Sequence, residues 1–265
     1  MIAWALVVLH GLALAFGLFG LLVAMPHPQL FAGNAAALAF YANATNGTGG
    51  TAIFFGAAAM VAFGVQRLGV RRTLFFFVAA TVISAAAELT GTKTGWPFGG
   101  YEYTSFLGPK LLDRVPAAIP LSWFYMGFAA LLLADAIVAG RWRWSVLLGT
   151  WLLVTWDLVL DPSMAAPNLQ YIHFWIWHET GPYFGMPLRN LAGWFGTGLL
   201  FIAIGRATWN EARAPRVPVA LPYTVYALNI GWSMILSVAA GMWPTAVAAI
   251  LVSLLPAALA FRARA

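Results

Sequence analysis

No charged side chain occurs before Arg67, and the rest of the chain is scarcely more polar. Of its 265 residues 62% are hydrophobic and 8% charged. Soluble domains carry roughly 25% charged residues, so this chain has too little polar surface to face water. Met1 to Ala24 is apolar for longer than the ~20 residues that cross a hydrocarbon core. It lacks a basic n-region and exceeds the ~7–15-residue apolar run of a signal peptide, so it is read as a retained first helix. The expectation is an all-α, polytopic membrane helix bundle. Eight spans are expected near 2–25, 48–66, 73–92, 117–140, 144–164, 190–208, 219–240 and 243–261. Between the first two, the Ala-rich stretch within Leu30–Gly50 is expected to form a short re-entrant helix. With no linker or internal repeat in view, residues 1–265 are read as one integral membrane domain.

The few charges are sorted. Under these spans Arg67, Arg71, Arg72, Arg141, Arg143, Arg206, Arg213, Arg216, Arg262 and Arg264 fall on one side. Lys93, Lys110, Arg114 and Arg189 fall on the other, so the positive-inside rule puts both termini in the cytoplasm. The net charge of +6 is thereby a topology signal, and with no basic stripe, nucleic acid is not expected as a partner. Asp135 and Glu211 accompany the basic side. Glu88, Glu102, Asp113, Asp157, Asp161, Glu179, His173 and His178 lie toward the opposite side. Ionisable groups at membrane depth are costly and mark functional sites.

Asp157 and Asp161 in WDLVLDP are four residues apart, on one helix face. Fourteen residues beyond Arg143, Asp157 is ~20 Å along the axis. Two such carboxyls in low dielectric cannot both ionise cheaply, so one is expected to keep its proton and suit general-acid work. The structural alternative pairs each with Arg or Lys, or uses it to cap a helix broken near Pro162. Glu88, at the end of the third span, faces the unfavourable end of a helix dipole, unless Lys93 or Arg189 neutralises it. For Glu102, Asp113 and Glu179 a solvated or ion-paired role is expected. The connections containing GTKTGWPFGGYEY and YIHFWIWHETGPYFG are rich in Gly, Pro and aromatics. These read as interfacial anchors, or as the roof of a pocket for a long apolar ligand. Asn229 reads as an interhelical hydrogen-bonding residue.

Several chemistries are absent. Without cysteine there is no thiolate nucleophile, disulfide or iron–sulfur cluster. The four histidines are too few for a multi-His di-iron centre, although a single His/Glu metal site stays open for His173 and His178. No lysine lies within a span for a retinal Schiff base, and there is neither a DDxxD cluster nor a GxxxxGK[ST] loop. Metal-free acid–base chemistry, or none, remains.

Three blocks, ELTGTKTGWPFGGYEYTSFLGPKL with VPAAIPLSWFYMG, TWDLVLDPSM and FWIWHETGPYFGMPLRNLAGW, resemble the membrane-integral carotenoid 1′,2′-hydratases (the CruF-like carotenoid biosynthesis proteins). The likeness is good over about residues 80–200. It implies water addition across the terminal C1′=C2′ bond of an acyclic carotenoid end, giving a tertiary alcohol, with no cofactor and no metal required. It also implies a lycopene- or γ-carotene-like substrate, or a C50 one, drawn from the lipid bilayer, with other carotenoid-pathway enzymes as potential partners. Its matched positions are Glu88, Tyr101, Tyr103, Trp123, Trp156, Asp157, Asp161, Pro162, Trp175, Trp177, Tyr183, Asn190 and Trp194. The chemistry assigns Asp157 as proton donor to C2′, with Asp161 or Glu88 positioning water. Trp156, Trp123 and Tyr101 would flank the C1′ cation, each worth ~2 kcal/mol when desolvated, and Tyr103, Trp175, Trp177, Tyr183 and Asn190 would contact substrate. A cyclase sharing the first protonation, a carotenoid or lipid binder without catalysis, and a transporter are the competing expectations. A transporter would usually show broken helices near midplane and internal repeats, and neither is evident.

Overall fold

The protein is described here by a computed structural model covering residues 1–40, 49–139, 141–166, 173–209 and 217–263. Glu211, Arg213, Arg216 and Arg264, used above for sidedness, lie outside the described residues, as do residues 41–48 of the Ala-rich stretch. What is described of that stretch is a 3-10 turn at Pro28–Phe31 and a short helical run over 35–40.

A backbone in lipid must satisfy its own hydrogen bonds, which makes helices the only open-ended solution. Among the described residues, eight long helices form where the apolar runs predict them. They are α1 (Ile2–Phe19, extended by a π-helical turn at Gly20–Ala24), α2 (Gly49–Leu68), α3 (Val70–Thr94) and α4 (Ile119–Ile137). There follow α5 (Trp142–Met164), α6 (Leu188–Ala207), α7 (Ala220–Ala239) and α8 (Trp243–Arg262, with a π-helical turn at Ile250–Leu254). Seven are long and apolar enough to cross a membrane. The exception, α7, is of similar length but diluted by Pro222, Asn229, Ser233 and Ser237.

Two small antiparallel ribbons interrupt the helices on one side of the bundle. β1 (Tyr101–Tyr103) pairs with β4 (Trp175–Trp177), and β2 (Lys110–Leu111) with β3 (Val115–Pro116). The centre is α4, buried along almost its whole length and packed against α2, α3, α5, α7 and α8. By contrast, α1 rests on α2 and α7 with most of its surface exposed. Both helices are apolar all round, so hydrophobicity cannot choose between centre and rim in lipid. Small residues and buried polar links do.

On the arginine-rich side, Arg206 is bound to Asp135 at 3.0 Å, and Ser145 donates to the same carboxylate at 2.9 Å. This closes the ends of α4, α5 and α6 together. Arg189 pairs with Glu179 at the opposite, exposed side. These are the two salt bridges among the described residues, and Glu88, Asp157 and Asp161 belong to neither.

Gly127 of α4 faces the Phe201 ring of α6, and a Cβ there would lie 2.6 Å from it. Gly196, also on α6, has nothing within 4 Å. Gly127→Ala should therefore lower stability by about 1–3 kcal/mol through overpacking. Gly196→Ala should leave it unchanged or raise it by roughly 0.5–1 kcal/mol. Thermal unfolding in detergent reads both, and equal midpoints for the two variants would contradict this packing.

Candidate active site

Glu88 occupies the last turns of α3, which ends at Gly95 in the left-handed region (φ 78). The following turn drives Phe98 between α3 and α6, where Gly91 and Gly193 leave room for its ring. The chain then enters β1. Pairing sets Tyr101 opposite Trp177 and Tyr103 opposite Trp175, with Glu102 opposite Ile176. Because side chains alternate across a strand, all four aromatics share one face while Glu102 and Ile176 are exposed. That face roofs Glu88.

The Glu88 carboxylate is buried and receives three neutral donors. Tyr101 and Tyr103 hydroxyls both donate to Oε2, the latter at 2.9 Å, and Trp123 Nε1 donates to Oε1 at 2.9 Å. Burial and the neighbouring Glu88 charge hold both phenols well above their ordinary range, so they remain donors.

Asp157 and Asp161 lie on the last turns of α5, within hydrogen-bonding reach of one another. Asn190, in the first turn of α6, donates to Asp157 Oδ2 at 2.9 Å and Asp161 Oδ2 at 2.6 Å. All three side chains are buried. Asp157 Oδ1 receives no donor. Neither aspartate caps a broken helix, because α5 runs through Pro162 to Met164. Proline has no N–H and so frees the carbonyl four residues earlier. That carbonyl, Leu158 O, is recovered by the Tyr183 hydroxyl at 3.0 Å.

Glu88 and Asp161 both face a cavity of about 200 Å³. Glu88, Asp161 and Asn190 line it, with Trp156, Trp123, Tyr101, Tyr103, Trp175 and Trp177. Asp157, expected as donor, sits behind Asp161 rather than on the wall, and Tyr183 supports α5 from outside. Trp194 stacks on Trp123 with centroids 3.9 Å apart and meets Trp156 edge-on at 5.7 Å. Trp194, Phe98, Asn229 and Trp232 also line the cavity. No spacing marked Phe98 as a lining residue. For Asn229 the signal was a lone amide in an apolar span, and its Oδ1 accepts from Tyr125 at 2.7 Å while its Nδ2 meets buried His10 at 2.9 Å. His178 packs beside Gly100, the His173 carbonyl accepts from Thr104, and no group of three metal-binding side chains gathers among the described residues.

The family described as "Carotenoid biosynthesis protein" matches residues 48–256. The chain is similar to the bisanhydrobacterioruberin hydratase of Haloarcula japonica, 36% identical over 146 residues, which is 53% of this chain and 47% of that protein. The match thus spans about half the length of that relative. No solved structure matches the chain.

Asn190 supplies the protein's only amide donor to both aspartates among the described residues. Asn190→Ala should destabilise the fold by about 1–3 kcal/mol, the cost of leaving buried acceptors unsatisfied. Thermal unfolding of the variant checks this, and a midpoint like that of the parent would show that the clamp is dispensable.

Proposed function

Because the chain belongs to the carotenoid biosynthesis protein family, we propose that it adds water to the terminal C1′=C2′ double bond of an acyclic carotenoid end. The observation that carries this reading is the cavity wall. One acid of a hydrogen-bonded carboxyl pair, Asp161, faces the same space as the Trp123–Trp194 stack. The hydratase named among its relatives supports the reaction class. A cavity of about 200 Å³ suits an end group rather than a whole polyene. The substrate is lycopene- or γ-carotene-like, or a longer homologue.

In the proposed cycle Asp161 gives its proton to C2′, leaving a tertiary cation at C1′ and a carboxylate on the protein. Asp157 and Asn190 hold Asp161 in place and share the resulting charge, so the acid titrates as a pair. The cation faces indole and phenol rings, at ~2 kcal/mol or more per desolvated contact. Trp123, Tyr101 and Tyr103 each donate to Glu88, which enriches their π faces and adds a nearby negative charge. Water then bonds to C1′, and the proton it sheds returns to Asp161. One water is consumed and the acid is regenerated.

Expressed in a host that makes lycopene or γ-carotene, the chain should yield pigment heavier by one water. Asp161→Asn should lower that yield at least 10²-fold, as loss of a general acid does. Asp157→Asn should cost less, and Glu88→Gln about 30-fold, equivalent to one lost cation contact of ~2 kcal/mol. Wild-type-like turnover by Asp161→Asn would eliminate the mechanism, and a pigment of unchanged mass but altered spectrum would indicate cyclisation instead.

The proposal places both termini in the cytoplasm and the carboxyl cavity toward the opposite leaflet, on the arginine asymmetry. As the chain contains no cysteine, single substitutions report orientation. In intact cells Glu179→Cys should react with a membrane-impermeant maleimide and Arg67→Cys should not. The reverse pattern would invert the topology.

A further inference from the structure

One wall of the cavity comes from outside the region that the family match covers. Residues 48–256 are matched, yet α1 contributes Leu14, Phe16, Gly17, Gly20 and Leu21 to the lining, and Phe40 completes that end. Phe16 and Phe40 are 40% and 61% exposed, and their rings meet edge-on with centroids 6.1 Å apart. Each ring therefore belongs both to the cavity lining and to the surface that faces lipid. Glu88 and Asp161, beneath the aromatic ribbon, line the same cavity. The cavity thus runs from buried carboxyl groups to an apolar rim on the bundle's outermost helix.

We propose that the Phe16–Phe40 pair borders a lateral port through which the polyene body of the substrate projects into the bilayer while its end group sits at Asp161. This rests on the hydration reading for the identity of the ligand. Three observations select a polyene as occupant. The space inside, about 200 Å³, is too small for a long isoprenoid, so the remainder must leave through the wall. The rim is aromatic and apolar, and α1 has no charged side chain to repel a hydrocarbon. The bare wall beside it, at Gly20, has nothing within 4 Å of where a side chain would begin. That leaves a smooth track continuous with the catalytic cavity. The π-helical turn at Gly20–Ala24 lies along the same track, and such turns recur at functional sites.

The absence of native cysteine allows a direct test. Full-length Phe16→Cys/Phe40→Cys protein in nanodiscs is treated with dibromobimane, and lycopene uptake is read as co-eluting pigment, independently of water addition. The tethered double variant should take up pigment at least tenfold more slowly than the same protein untreated, while treated single variants keep their untreated rates. Gly20→Phe should slow uptake comparably, with a thermal midpoint near that of the parent. Leu12→Cys, on an exposed part of α1 outside the cavity lining, serves as the labelling control. Unchanged uptake after tethering, or by folded Gly20→Phe, overturns the port. Uptake that responds as expected with no hydrated product from the parent would instead overturn the hydration reading and leave the port standing.

Discussion

Among the described residues, three carboxyl groups are buried in this bundle with no salt bridge to a cation. Isolated charges in such a setting are prohibitively costly, so everything around them is arranged as neutral donors. Glu88 is met by two phenols and an indole, and the Asp157–Asp161 pair by one amide. The four donors arrive on three elements: the ribbon and α4 reach α3, and α6 reaches α5. Satisfying the carboxyls therefore also fixes how the ribbon and four helices meet. The arginines that would neutralise them are spent elsewhere, Arg206 on Asp135 and Arg189 on Glu179. A salt bridge would have extinguished the acidity on which the proposed chemistry draws.

The two carboxyl sites differ in what they touch. Glu88 is surrounded by rings that donate to it, so it anchors an aromatic box. Asp161 touches its partner aspartate and an amide, and opens onto the cavity. Asp157 is one layer back and does not line the cavity. Pro162 belongs to the same arrangement. The carbonyl it frees is taken by Tyr183, so the helix bearing both acids stays continuous, and a connection that follows it in sequence is pinned against it.

Membrane crossing was legible because it depends on composition over twenty-residue windows, and the expected spans match the helices to within a few residues. The two aspartates on one face were legible for the same local reason, a four-residue spacing on a helix. The roofing role of the aromatic connections was only one of two readings, and their strands were not anticipated. Yet Tyr-Glu-Tyr and Trp-Ile-Trp carry the period-two alternation of a half-buried ribbon. Two three-residue runs, more than seventy residues apart, become a sheet only when helices bring them together. Phe98 as a lining residue has no local signature at all, since its place is set by glycines on two other helices.

Sequence alone determined that this chain suits a bilayer, which stretches are apolar enough to cross it, and which side chains are expensive to bury there. These follow from transfer free energies, which are properties of each residue in its solvent. Which carboxyl faces the cavity, which is held behind it, and which helix supplies the outer wall were decided by tertiary structure. Those are questions of direction around a helix axis and of what stands opposite. In lipid, where a central and a peripheral helix are equally apolar, only close packing and the pairing of buried polar groups answer them.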